Sequence, residues 1–487
     1  MNTKRILALL LASMMLTGSL AACSDTPAEG TDTTAAETTP EVTTEPEETK
    51  IPSGLPETMD MKGFNITFYG KDTKGAYAEE ETGDLLNDEI YARNRRLNEQ
   101  YNFNIMQILP KNQTDPTKEV LATVQAGDDA YHVLVDGPNR FVSYINAGLL
   151  FDMSTLKYQD YTQPWWSEDI NKSLSFGGKV LMSCNSFMLS SRTWIYHPIV
   201  NTDLLEANGM KIADYYNMVR EGKWTLDEFI KMIKQGNADL NGDGVRDHND
   251  RFGFATERYG GYVLGIGTGW AIANKDDKDM PIITAATEEG IDLWDKLVNQ
   301  IFADRNSFIC VTDIKAEGSQ YTVTNNMVKN SQVMVYIATL TDAYRDYEIN
   351  YGILPMPKGS ADQEKYYHTG SSYNLPVMAV PKITKTPDEI SFVLEAMAYD
   401  SYYGLQPKFY QNYLETKLAR DQESVEMLQI IHSSIMMDPG AAYNWGGYLN
   451  RIYNNVSERA NPLATYHASN AASAAAAIDK MVKAVTE

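Results

Sequence analysis

The chain has 487 residues, of which 10% are aromatic, enough to fill the cores of two or three domains. Its formal net charge of −23 argues against nucleic acid or an anionic bilayer as the main partner. With only Cys23, Cys184 and Cys310 in the chain, cysteine pairing does not define the fold.

Lys4 and Arg5 precede an apolar run from Ile6 to Leu16 broken only by Ser13. That run is too short to span a bilayer, which takes about 20 mostly apolar residues, and it has the form of a secretory signal. It leads into Leu20-Ala21-Ala22-Cys23, which resembles the bacterial lipobox. The expectation is a signal peptide over 1–22, lipidation of Cys23, and a protein on the extracellular face of the membrane, held by its acyl chains alone. An ordinary signal peptide with a chance cysteine is the alternative. Between Cys23 and Lys50 stand eight acidic side chains and one lysine among Thr, Pro, Ala and Ser. Such a stretch cannot offset the entropy of ordering, so residues 23–62 read as a disordered tether with a reach of roughly 35 Å.

Phe64–Gly70 alternates and ends on glycine, a strand pattern. Helical periodicity follows from Asp84 to Tyr101, then a strand over Asn102–Ile108, a helix over Thr117–Ala126 and an apolar strand over His132–Asp136. This alternation predicts an open α/β sheet, whose ligands bind beyond the carboxyl ends of the strands, here Tyr69-Gly70 and Asp136-Gly137. Farther on, Lys179–Met182 and Thr193–Tyr196 read as strands, and Asp203–Asn208 as a helix. Thr225 and Glu228 have the spacing of a capping box opening a helix that runs to about Gln235. A helix over Asp292–Ile301, a strand over Val333–Ile337, an extended Tyr351–Pro357, a strand around Pro376–Val380 and a mainly helical last hundred residues complete the chain. Cys184 and Cys310 allow either one disulfide or two buried thiols.

The sharpest motif runs from Asp239 to Asp250. Asp239, Asn241, Asp243 and Asp247 fall at positions 1, 3, 5 and 9 of an EF-hand loop, with Gly244 at position 6 and the Val245 carbonyl at 7. Asp250 stands at position 12, where glutamate is usual. The pattern predicts a structural Ca2+ of modest affinity, and His248 reads as a solvated loop residue.

Together these features resemble the extracellular solute-binding proteins of ABC importers, in the maltose-binding-like family 1 group. The matching stretches are Gly127–Val133, Ile195-Tyr196 followed by Asn201–Leu205, the calcium-like loop, Tyr351–Pro357, and Pro387-Asp388-Glu389 opening the helix Ile390–Tyr399. Residues 305–332 and an extended C-terminal part depart from that pattern. The resemblance implies an α/β fold of the periplasmic-binding-protein type II kind, with two lobes, a hinge and an interlobe cleft. Lobe 1 would take 64–188 and 338–400, and lobe 2 would take 189–337 and 401–487. It further implies a monomer that captures a solute, most readily a saccharide, and hands it to permease subunits, without catalysis.

Sugars pair apolar ring faces with hydroxyl rims, so their sites mix aromatic side chains with carboxylates, amides and arginine. On that ground Trp270, in the glycine-rich stretch Gly265–Trp270, leads the candidates, with Trp194, Tyr69 and Tyr373 as further aromatics. Asp136, Arg140, Arg192 and Asn374 are the hydrogen-bonding candidates; Trp165, Trp166 and Trp445 read as packing or surface. Two rival readings are an anchored glycosidase using a carboxylate pair and a polymer-capturing surface protein without a transporter.

Overall fold

The structure is a computed structural model, and it describes residues 50–71, 73–315, 317–339, 347–416 and 418–486. The signal peptide, Cys23 and nearly all of the tether lie outside the described residues. From Pro52 onward the chain forms one compact unit. Its packed part begins slightly earlier than expected. Met61 is buried, and its N–H donates to the Tyr101 carbonyl at 2.8 Å. No helix among the described residues is long and apolar enough to cross a membrane.

The first part of the chain alternates β1 (Phe64–Gly70), α1 (Leu85–Tyr101), β2 (Phe103–Ile108), α2 (Thr117–Gln125), β3 (Val133–Asp136) and α3 (Pro138–Asn146). Asp84 caps α1 by accepting from the Leu86 and Asn87 amides, and Asn102 closes it in the left-handed conformation. After α4 (Glu168–Leu174) and a single turn, α5 (Ser190–Thr193), come β4 (Tyr196–Asn201), α6 (Thr202–Ala207), α7 (Ile212–Arg220), α8 (Leu226–Gln235), β5 (Phe252–Thr256) and α9 (Arg258–Gly267). A hairpin of β6 (Ala273–Lys275) and β7 (Pro281–Ile283) leads to α10 (Glu288–Leu297), β8 (Phe308–Cys310), α11 (Gln320–Lys329), β9 (Val333–Thr339), β10 (Tyr351–Ile353) and β11 (Val377–Ala379). The chain ends in α12 (Pro387–Tyr403), α13 (Leu405–Glu415), α14 (Gln422–His432), α15 (Pro439–Tyr443), α16 (Tyr448–Glu458) and α17 (Leu463–Thr486).

Two main sheets result. In the first, of order β11-β3-β1-β2, β1 runs parallel to β2 and β3 while β11 is antiparallel to β3. Ile66, Phe68, Phe103 and Val133 are wholly buried in it, as a sheet covered on both faces requires. Arg93 of α1 is also wholly buried, and donates to the carbonyls of Gly75 and Ala76 and to Ser401 Oγ of α12. Burial lowers its pKa to about 10, so it stays charged near neutrality. The second sheet has the order β10-β4-β9-β5-β8. There β5 is parallel to β8 and β9, and β4 is antiparallel to both β9 and β10.

Several local expectations change. Lys179–Met182 is not a strand: Lys179 closes a tight turn on Phe176, and the main chain next bonds the first sheet through Ser183 and Met378. Thr193-Trp194 ends a helical turn, and the strand starts only at Tyr196. Thr225 sits at the start of α8, but its side chain makes no capping bond. The Lys358 carbonyl takes the Leu226 N–H instead, and Glu228 pairs with Lys231. Cys184 and Cys310 are separate buried thiols in different sheets' territory, both with pKa raised by burial.

The boundaries between the two halves also move. β9 continues to Thr339 and β10 pairs with β4, so the chain stays with the second sheet past residue 338. It leaves that sheet after Ile353 and reaches the first at Val377. Past residue 401, α13 packs on α1, and the return to the second sheet begins with α14, which packs on β10 and bonds Tyr216 and Arg220 of α7 through Ser424 and Glu423. Strand pairing is a long-range property, so local patterning does not say which sheet a three-residue strand such as β10 will join.

Candidate functional site

Three segments cross between the sheets among the described residues, and they are bonded to one another. Ile195 pairs with Gly370 and His368 with Ile435, while the Tyr196 N–H donates to the Thr369 carbonyl. Buried His368 accepts at Nε2 from the Met356 N–H and bonds Ser434 Oγ through Nδ1. Burial holds its pKa down at about 3, so it is neutral and serves as a structural joint.

Beside these crossings lies a cavity of about 470 Å³, within the range of small-molecule sites. It opens at the carboxyl ends of β5 and β8, which supply Glu257, Arg258 and Tyr259, and Val311 and Thr312. Tyr196 enters from β4, Gln320 and Tyr321 from the start of α11, and Tyr453 from α16. The other wall is Ser371, Tyr373 and Asn374, on the crossing that leads into β11. That wall belongs to the first sheet's end. Ser372 accepts from the Asn139 N–H just past β3, and a Cβ on Gly137 would lie 2.6 Å from the Tyr373 carbonyl oxygen. Only glycine lets these two backbones touch. The cavity therefore sits between the carboxyl ends of both sheets.

Its lining combines rings with fixed polar groups. Tyr196 and Tyr259 lie 5.1 Å apart at 32°, and Tyr453 follows at 5.6 Å from Tyr259. The Tyr196 hydroxyl donates to Glu257 Oε1 at 2.8 Å and the Tyr321 hydroxyl to Oε2 at 3.2 Å. Burial, then the Glu257 carboxylate, pushes the Tyr196 hydroxyl's pKa up, so it stays a donor. The Tyr259 hydroxyl donates to the Gly370 carbonyl and accepts from the Ser372 N–H, tying α9 to the crossing. Beneath it, Tyr262 donates to wholly buried Asp438. Asp438 also accepts from the amides of Ile272, Ala273 and Gly440, and burial raises its pKa to about 6.

Of the residues expected from sequence to grip a ligand, Tyr373 and Asn374 line this cavity. Trp270 is buried, donates from Nε1 to the Gly290 carbonyl and packs on Trp294 at 4.6 Å. It shows only an edge to a separate hollow of about 1200 Å³ between α10 and the 359–367 loop. Tyr69 is buried against Tyr131. Asp136 accepts from the Gly137 N–H and is buried, which raises its pKa. Arg140 is taken up by Asp115 and the Thr114 carbonyl. Trp194 and Arg192 stand at the first crossing, where the Arg192 carbonyl bonds His432. Sequence reasoning missed Tyr196, Glu257, Arg258, Tyr259, Gln320, Tyr321 and Tyr453. The signal available was strand β5, whose carboxyl end delivers Glu257-Arg258-Tyr259 by the same rule applied to β1 and β3.

In the calcium-like loop, Asp239 accepts from the Gly242 and Gly244 amides, Asp243 from Val245, and buried Asp250 from Leu240 and Asp247. Arg246 pairs with Asp250 at 3.5 Å. Among the described residues no three acidic, histidine or cysteine groups converge as a metal cluster. The loop's carboxylates are held by its own amides.

Two sheets with helical cover, joined by several crossings around a cleft at their carboxyl ends, define the class of hinged two-lobed binding folds. No protein-family model matches the chain, and no curated protein matches it in sequence. Among solved structures, a cyclo/maltodextrin-binding protein complexed with maltotetraose is 15% identical at a TM-score of 0.52, over 86% of this chain and 96% of that one. UspC of M. tuberculosis is 16% identical at a TM-score of 0.55, over 85% of this chain and all of that one (100%). The chain thus has the periplasmic-binding-protein type II fold of the maltose-binding-like solute-binding proteins.

Proposed function

We propose that this protein is a lipid-anchored, monomeric, extracellular solute-binding protein that captures a saccharide and delivers it to the permease of an ABC importer. The observation that carries this reading is the cavity between the two sheets, lined by five tyrosines and by Glu257, whose carboxylate two of them bond. Tyrosine rings offer faces to the C–H side of a pyranose, and their hydroxyls bond its rim. Each Glu257 oxygen receives one tyrosine proton and keeps a lone pair for a sugar hydroxyl. Asn374, Gln320 and Arg258 add donors around it. Lipid at Cys23 and the acidic tether after it would keep this body near the permease. The Asp239–Asp250 loop is proposed to take a structural Ca2+, because its oxygen donors follow the EF-hand spacing.

The test is calorimetric titration of residues 51–487 with mono- and oligosaccharides. Saturable binding that Glu257→Gln weakens at least tenfold supports the reading, since a hydrogen bond to a charged group carries that much. If no saccharide binds while the protein is folded, the carbohydrate assignment fails.

A further inference from the structure

Outside the three chain crossings, the links between the lobes include the ion pair of Lys365 with Asp169 and a contact made by the β6–β7 hairpin. The β6–β7 hairpin belongs to the second lobe: Asp438 holds its base through the Ile272 and Ala273 amides, and Thr284 N–H returns to the Ile272 carbonyl. Its tip lies on the turn Phe176-Gly177-Gly178-Lys179, which belongs to the first lobe because the chain right after it bonds β11 through Ser183 and Met378.

The contact is specific on both sides. Lys275 Nζ donates to the Ser175 carbonyl at 3.0 Å and reaches Ser175 Oγ at 3.3 Å, while pairing with Asp279 at 2.5 Å. Asp279 accepts the Gly178 N–H on Oδ2 at 3.0 Å and the Gly177 N–H on its own carbonyl at 3.2 Å. Gly177 and Gly178 have φ of 58° and 74°, the form that turns both amides toward the hairpin. Buried Phe176 has Lys275 Nζ over its ring and meets the stacked pair Tyr443 and Trp445 edge to face. Those two rings are carried by the segment that Asp438 anchors to the second lobe.

We propose that the Ala273–Ile283 hairpin is a closure latch: Lys275 and Asp279 grip the Phe176–Lys179 turn when the lobes are shut, and its release opens the cleft. The proposal rests on the solute-binding reading of the cavity, since a latch matters only if the lobes move around a ligand. These bonds form in the closed arrangement and vanish in the open one, so they favour the closed population and slow solute escape. The association step is left nearly unchanged.

The test compares the protein with Lys275→Met, which keeps the apolar stem over Phe176 and removes the bonds to Ser175 and Asp279. Expected results are an unchanged fold by circular dichroism, a larger solute-free radius of gyration by small-angle X-ray scattering, and an off-rate for the bound saccharide about tenfold faster. Lys275→Arg should restore most of the slow off-rate. If Lys275→Met leaves both radius and off-rate unchanged, the latch is overturned. If the unsubstituted protein binds no saccharide, the solute reading fails, and the radius of Lys275→Met still decides the latch.

Discussion

Glu395 is the most tightly enclosed carboxylate of the first lobe. The indoles of Trp165 and Trp166 donate to its two oxygens at 2.6 and 2.9 Å, and it is wholly buried. Burial dominates over these bonds and raises its pKa from 4.5 to about 7. The folded protein therefore holds this proton more tightly than the unfolded chain. The resulting stability is full below about pH 4.5 and is lost as pH rises through about 7. Glu395→Gln should flatten that dependence, so that unfolding free energies from urea titration at pH 5 and pH 8 differ less than in the parent, by on the order of 3 kcal/mol. Trp270 makes a contrasting case. With its indole on the Gly290 carbonyl and its ring on Trp294, Trp270→Phe should cost about 2 kcal/mol of stability and leave solute affinity unchanged. A loss of affinity at constant stability would put Trp270 back in the site. A tryptophan after glycines looks the same in sequence whether it faces a ligand or a neighbouring indole; burial decides, and burial is a tertiary property.

At the scale of elements, periodicity located β1, α1, β2, α2 and β3 to within a residue or two, because each carries a clean apolar face. The element that makes the site, β5, went unread. Phe252-Gly253-Phe254-Ala255-Thr256 is short and half small residues, and it abuts the calcium-like loop, which draws the eye first. Gly253 is small because an added Cβ would sit 1.6 Å from the Ile233 carbonyl oxygen of α8. The cavity's five tyrosines come from four elements and one crossing segment, separated by up to 257 residues from Tyr196 to Tyr453, so no window of sequence brings them together. The loop itself yields a direct prediction. Moving from chelator to 10 mM Ca2+ should raise the melting temperature, and Asp239→Asn should abolish the rise; at 10 to 100 times an extracellular-type dissociation constant the gain is about 1.4 to 2.7 kcal/mol. An equal rise in Asp239→Asn would remove calcium from this loop.

For the whole molecule, the fold places a polar, ring-lined cavity where motion of one lobe against the other changes its walls on both sides. Saccharide binding should therefore reduce the radius of gyration in solution, and a constant radius at saturation would argue for a rigid site. The two-lobed class was legible from the alternating elements and the family-like stretches. The crossing points were not, since they depend on which sheet each short strand joins.

The bonded crossings have a mechanical side. Residues 194–196, 368–370 and 434–436 form a narrow ribbon in which bending any one segment drags the other two. Three separate strings would let the lobes wobble in every direction, whereas a laddered strip is stiff in its plane and soft in torsion. The lobes should share a single axis of rotation. A pair of fluorophores, one on each lobe and far from that strip, would then report solute occupancy through one distance, which makes this body a natural frame for a sensor.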